Sequence, residues 1–257
     1  MTLTPGQLVL LAGVGVLAGI INGIVGSGTL LVFPILVAMG LPPVFANGTN
    51  SIGLWPGSFA ATWPSRGELL PRRRRLRPLA ILAFLFGLLG ALLVIVLPPA
   101  VFSAVVPWLI GGAVVLVAVQ PWLVKRLAAR DAGRETPEGP PRPRLLAAVA
   151  GAATYSGYFG AAQGVVLLAV LGILDDTDPR RANGVKNLLA AMANTASSLV
   201  FIATGRVVWP AALALMAASA LGGYIGGHGA RRLPVTVFRV LIVAVGLFAL
   251  VSLIVRH

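Results

Sequence analysis

Apolar residues gather into runs separated by short polar or charged stretches. The runs cover 7–25, 28–40, 44–63, 79–97, 100–122, 145–160, 163–174, 182–204, 208–228 and 234–255. A helix needs about 20 apolar residues to cross a ~30 Å hydrocarbon core. Most of the runs approach that length, 145–160 only marginally, but 28–40 and 163–174 are too short. Each short run sits beside a glycine-rich break, Asn22-Gly-Ile-Val-Gly-Ser-Gly28 in one case and Ser156-Gly-Tyr-Phe-Gly-Ala-Ala-Gln-Gly164 in the other. The pattern predicts an all-α polytopic membrane protein with about 8–10 membrane helices.

The runs fall into two similar halves. Ala46-Asn47-Gly48-Thr49-Asn50-Ser51-Ile52 matches Ala182-Asn183-Gly184-Val185-Lys186-Asn187-Leu188, and Gly23 and Gly26 pair with Gly157 and Gly160. The expected organisation is a first transmembrane repeat over 1–122, a basic linker over 123–144 and a second repeat over 145–257, each repeat holding five segments and one glycine-broken helix pair. Five crossings per repeat turn the second upside down, the inverted build of many secondary transporters. The broken pairs are either full passes or re-entrant hairpins whose tips meet near the bilayer midplane.

Charge orients this scheme. Arg66, Arg72, Arg73, Arg74, Arg75 and Arg77 fall in one loop, 64–78, and Lys125, Arg126, Arg130, Arg134, Arg142 and Arg144 in the linker. Basic loops stay cytoplasmic, so the N-terminus is expected outside a cell (inner or plasma) membrane. Arg180, Arg181, Arg231 and Arg232 then also fall inside. The first run follows a segment without Lys or Arg and reads as a retained span rather than a signal peptide.

Composition narrows the chemistry. The 257 residues are 58% hydrophobic and 11% charged, too few charges to clothe a water-facing surface. The net charge of +13 sits in short blocks between apolar runs, so it is read as orientation signal and not as a nucleic-acid surface. Without cysteine there is no disulfide or thiolate site. All seven acids (Glu68, Asp131, Glu135, Glu138, Asp175, Asp176 and Asp178) are assigned to loops, leaving no carboxylate at mid-membrane. No Walker loop, metal cluster or hydrolase triad is present in the sequence. The expectation is a protein without cofactor or metal that is not an enzyme.

The breaks and the Asn-Gly motifs carry the candidate site. Backbone groups freed inside a membrane need protein or a wet cavity as partner, and a half-helix starting there points N–H groups and a positive dipole end at it. Asn22, Gly26, Ser27 and Gly28 with Ser156, Gly160, Gln163 and Gly164 would form an anion-attracting centre. Asn47, Asn50 and Ser51 share a helix face, as do Asn183, Lys186 and Asn187. The same glycines would also permit close helix packing, and the same amides would serve as interhelical glue. Lys186, the one Lys inside an apolar run, supplies positive charge if it faces the centre and otherwise snorkels to the interface. Arg239 and His228 read as boundary residues, and Trp55, Trp63, Trp108, Trp122 and Trp209 as an interfacial belt.

Gly19-Ile-Ile-Asn22-Gly23-Ile-Val-Gly26-Ser27-Gly28, then Phe33-Pro34-Ile-Leu, then Ala46-Asn47-Gly-Thr49-Asn50-Ser51, resembles the TauE/SafE sulfite exporter family, also called the toluene sulfonate uptake permease family. The resemblance is strongest over 11–63 and recurs over 150–198. It departs where family members have several consecutive glycines and this chain has Gly-Ser-Gly. It implies transport of small anions such as sulfite, organosulfonates or related carboxylates. The combined expectation is a secondary transporter of a small anion, sulfite or an organosulfonate first, working by alternating access. An anion channel, a carboxylate transporter, and a membrane-embedded enzyme or assembly subunit are the alternatives. The partners expected are the anion and the lipid bilayer, with no nucleic acid, and a homodimer is compatible with the sequence.

Overall fold

The computed structural model describes residues 3–130, 139–175, 178–229 and 235–255. Among them every regular element is helical: α1 (Pro5–Ile24), α2 (Thr29–Ala38), α3 (Pro43–Thr62), a 3-10 turn (Trp63–Ser65), α4 (Arg66–Leu69), α5 (Arg73–Val96), α6 (Pro99–Arg130), α7 (Pro143–Tyr158), α8 (Gln163–Leu174), α9 (Pro179–Ala203), α10 (Trp209–Gly229) and α11 (Val235–Val255). Among the described residues, five helices are long and apolar enough to cross a membrane, namely α1, α5, α10, and the segments Pro99–Leu123 of α6 and Arg181–Ala203 of α9. The all-α polytopic membrane fold is therefore present.

Proline sets many of the starts. Pro5, Pro43, Pro99, Pro143 and Pro179 each open a helix, where the missing N–H costs nothing and φ is already helical. At α1 Thr4 adds a capping box, its hydroxyl accepting from Gln7 N at 3.3 Å while Gln7 Oε1 accepts from Thr4 N at 2.9 Å. Glycine sets the breaks. Gly26 and Gly160 have φ of +81° and +71° and close the ends of α1 and α7, with Gly26 N donating to Ile21 O at 3.0 Å and Gly160 N to Tyr155 O at 3.1 Å. This is the left-handed C-terminal cap, for which glycine is the default.

Helix boundaries differ from the hydropathy runs at the charged ends. Arg73, Arg74, Arg75 and Arg77 lie in the first turns of α5 rather than in a loop, and α6 runs past 122 to Arg130. Helical hydrogen bonding is indifferent to side-chain polarity, so a hydropathy run marks the membrane-buried part and undercounts the helix. Residues 131–138, inside the expected linker, lie outside the described residues. So do Asp176, Arg231 and Arg232.

Contacts fix the relative directions. Along α1, Gly15, Gly19 and Gly23 meet Leu215 and Ala218, then Ser219 and Gly223, then Gly226 and Gly227 of α10. Along α3, Gly53 meets Leu215, Gly57 meets Gly223, and Ala61 meets Gly227. So α1, α3 and α10 run parallel. In contrast α9 runs antiparallel to α3, because Gly48 meets Phe201, Trp55 bonds Thr195 and Asn187 bonds Ala61 O. Glycine permits these approaches. A Cβ at Gly223 would lie 2.1 Å from Gly57 O, and one at Gly90 of α5 would lie 2.0 Å from Thr154 O of α7.

The packing is reciprocal between the halves. α10 packs on α1 and α3, while α5 packs on α7 and α9. α2 touches α11, while α8 touches α6. The pairs α3–α9 and α6–α11 join the halves directly.

Candidate functional site

At ~1.5 Å per residue a ten-residue helix reaches about 15 Å, half the hydrocarbon core. α2, with 10 residues, and α8, with 12, are therefore half-helices. The chain turns back at the end of α1, so that Gly28 packs against the Ala18 carbonyl. Since α3 runs parallel to α1, α2 returns the chain toward the side where α1 began.

The two breaks touch. Gly164 N donates to Gly26 O at 3.0 Å, and a Cβ at Gly26 would stand 2.3 Å from Gly164 Cα. Both half-helices start beside this contact, α2 at Thr29 and α8 at Gln163. Ala162, which precedes α8, has φ +55°. That left-handed backbone costs an alanine roughly 1–2 kcal/mol. Ser27, fully buried before α2, has a hydroxyl with no partner.

Lys186 is fully buried on α9 and does not snorkel. Its Nζ donates to Asn22 O at 3.3 Å and Gly23 O at 3.4 Å, carbonyls released where α1 ends. Its methylene stem lies against Gly164, whose added Cβ would stand 3.1 Å from Lys186 Cδ. A cation at the negative end of a helix is electrostatically favourable. Asn183 and Asn187 donate to the same Gly23 O at 3.3 and 3.4 Å, and Asn187 also donates to Ala61 O at 3.1 Å. The second Asn-Gly motif thus caps the first break. In turn Asn47 of the first motif donates to Tyr158 O at the end of α7, at 2.9 Å.

A second polar chain crosses between the halves. Ser156 Oγ donates to Gln163 Oε1. Gln163 Nε2 donates to Asn194 Oδ1 at 3.5 Å, and Asn194 and Asn22 both donate to Ser58 Oγ, at 3.0 and 3.1 Å. Asn50 Nδ2 donates to Thr29 Oγ1 at 3.2 Å. Ser51 is buried beside Asn50 and takes part in none of these bonds.

The sequence-predicted residues thus fall into three settings. Asn22, Ser156, Gln163, Asn183, Lys186 and Asn187 belong to one polar centre with the backbones of Gly26 and Gly164. Asn50 joins it through Thr29 at the start of α2, next to Ser27 and Gly28. Asn47 and Gly160 sit at the second break, where α7 stops: Asn47 donates to Tyr158 O, and Gly160 packs against Ser156 O and accepts from Gln163 N at 3.2 Å. Sequence reasoning missed Ser58, Asn194 and Thr29. The internal match contains the signal for two of them, because extending the Asn47–Asn183 alignment places Ser58 opposite Asn194.

One acid also departs from its expected place. Asp175, assigned to a loop, is buried at the end of α8 and pairs with buried Arg75 of α5, which donates as well to Gly139 O. A carboxylate is buried only where a partner offsets the loss of hydration.

The amino-acid sequence matches the family model described as "Sulfite exporter TauE/SafE" over residues 11–253. It is 28% identical to a "Probable membrane transporter protein" of Haemophilus influenzae over 226 residues, which is 85% of this chain and 83% of that one. It is 29% identical to "Probable membrane transporter protein YfcA" of Escherichia coli K12, over 88% of this chain and 81% of that one. It is 26% identical to "Probable membrane transporter protein ORF9" of Sinorhizobium sp, over 90% and 86% respectively. No solved structure is a significant match to the chain.

Proposed function

The chain belongs to the sulfite exporter TauE/SafE family and is a membrane transporter rather than an enzyme, and from that premise we propose that it is a secondary transporter of a small oxyanion, sulfite or an organosulfonate. The cargo binds between the two glycine breaks, and transport proceeds by alternating access around that site. The chain sits in the inner or plasma membrane with its N-terminus outside and its Arg-rich segments inside.

The observation that carries the site is the convergence of two half-helix starts, an unpartnered buried hydroxyl and a buried ammonium on the contact between Gly26 and Gly164. Each contributes a donor or a positive end, and none of the Lys186 contacts is a carboxylate among the described residues. The Lys186 bonds to Asn22 O and Gly23 O are long, at 3.3 and 3.4 Å, and an oxyanion is a stronger acceptor for an ammonium than a neutral carbonyl. Cargo would draw Nζ off the end of α1, while Asn183 and Asn187 keep Gly23 O occupied. Asn50 can serve the same anion. Its partner Thr29 is a hydroxyl, which donates as readily as it accepts, so turning the amide over frees Nδ2 for the cargo without losing that bond.

The reciprocal packing and the opposite directions of α3 and α9 support an inverted duplication of 1–122 and 145–257. In such a duplication the Gly26–Gly164 contact is where the halves must part to pass cargo.

The test is a thermal-shift screen of purified protein against sulfite, sulfate, thiosulfate, sulfoacetate and simple carboxylates. A ligand for the folded state raises the apparent melting temperature. Sulfite or sulfoacetate should do so in the wild type and not in Lys186→Met. Silence from every anion, or a response only to carboxylates, removes the assigned cargo.

A further inference from the structure

A different feature lies at the Arg-rich end. The end of α3, the 3-10 turn, α4 and the start of α5 enclose an open groove of about 930 Å³. One wall is basic. Arg66, Arg73, Arg74 and Arg77 all line it and all are exposed. Arg66 is steadied by Trp63, lying 4.5 Å over its ring and donating to its carbonyl at 3.1 Å. Arg73, Arg74 and Arg77 make no ion pair among the described residues, and Glu68, the acid of this segment, is not part of the lining.

The rest of the groove is apolar and leads along the span. Arg73, Leu76, Arg77 and Ala80 recur at the three-and-four spacing of one face of α5, and Leu69, Leu188 and Phe59 close the floor and far side. Beyond Ala80 the exposed surface of α5 continues with Ile81 and Leu85, each about half exposed. Trp63 and Leu70 stand largely uncovered at the rim. A soluble anion needs the arginines but has no use for an apolar slot running into the membrane. A protein partner would not require a slot continuous with a lipid-facing helix surface.

We propose that this groove binds an anionic phospholipid, with the phosphate held by Arg73, Arg74 and Arg77 and an acyl chain laid past Leu76 and Ala80. Guanidinium groups match phosphate oxygens in charge and in geometry. Basic clusters beside membrane helices attract anionic headgroups, and an interfacial tryptophan marks the headgroup level. The lipid would fasten the α3–α5 connection, which packs on Gly184 through Ser65 and so abuts the helix that carries Lys186.

The experiment uses full-length protein, delipidated in detergent, titrated with phosphatidylglycerol or phosphatidylcholine and read by native mass spectrometry and thermal shift. Phosphatidylglycerol should bind and raise the melting temperature, and phosphatidylcholine should not. Arg73→Gln with Arg77→Gln should weaken phosphatidylglycerol about 30-fold, from ~1 kcal/mol per basic residue near a membrane surface at 1.4 kcal/mol per tenfold. Both side chains are exposed, so the variant should still fold. Ala80→Phe, which fills the slot and keeps every arginine, should also lose the lipid. Arg142→Gln with Arg144→Gln should leave its affinity unchanged. Equal binding of phosphatidylcholine, an equal response to glycerol phosphate without acyl chains, or full affinity in the Arg73/Arg77 variant would overturn the proposal.

Discussion

Substituting Gly26 by alanine tests whether the two breaks meet as described. The added Cβ would lie 2.3 Å from Gly164 Cα and 2.9 Å from Gly164 N. Both neighbours are backbone, so no side-chain rotation relieves the clash. Overpacking of this kind costs about 1–3 kcal/mol. The φ of +81° adds the ~1–2 kcal/mol that an L side chain incurs in the left-handed region. The expected loss is therefore about 2–5 kcal/mol. At ~2–4 °C per kcal/mol for a chain of this size, the melting temperature should fall by about 4–20 °C. Gly13 provides the comparison, because it lies within α1, is exposed, and a methyl added there would meet nothing within 4 Å. Gly13→Ala should gain ~0.5–1 kcal/mol of helix stability. Thermal unfolding of both variants in one detergent, followed by far-ultraviolet circular dichroism, separates them. A Gly26→Ala protein that melts with or above Gly13→Ala would refute the contact.

Three further outcomes follow from the same geometry. Lys186→Met should melt at or above the wild-type temperature, since Asn183 and Asn187 still donate to Gly23 O and a buried charge is expensive, yet it should lose anion binding by more than ~10-fold; a large stability loss without a binding defect would make Lys186 purely structural. Asp175→Asn leaves Arg75 buried without its counter-charge and should cost about 3–5 kcal/mol in reversible unfolding; a neutral result would mean that the pair is open to water. The chain has no cysteine, so single cysteines report topology directly. Arg206→Cys should react with an impermeant thiol reagent from outside and Arg74→Cys from inside, and the reverse pattern would invert the assigned orientation.

The membrane fold was legible because spans are written in hydropathy, and the breaks because glycine interrupts two runs of insufficient length. What the glycines do was less legible. Gly23 and Gly157 belong to helix packing, against Gly227 and Gly87, whereas Gly26 and Gly160 cap helix ends. Both roles write the same letter, and only the three-dimensional neighbours divide them. Ser58 and Asn194 lie further along α3 and α9 than the Asn-Gly motifs, and their meeting depends on the two helices running antiparallel. The Arg75–Asp175 pair joins residues a hundred positions apart, one read as orientation charge and the other as loop. Lys186 was legible as an anomaly, but its partners are main-chain carbonyls, and backbone acceptors leave no mark in a sequence.

An oxyanion that crosses at the meeting point of the two breaks, with Lys186 as its counter-charge, should be seen moving in a reconstituted system. Proteoliposomes carrying the purified chain measure this directly through uptake of labelled sulfite or sulfoacetate. Uptake should be saturable, accelerated by unlabelled anion preloaded inside, and lost in Lys186→Met reconstituted at equal density. Flux no greater than in protein-free liposomes for every small oxyanion, or flux that Lys186→Met leaves intact, would contradict it.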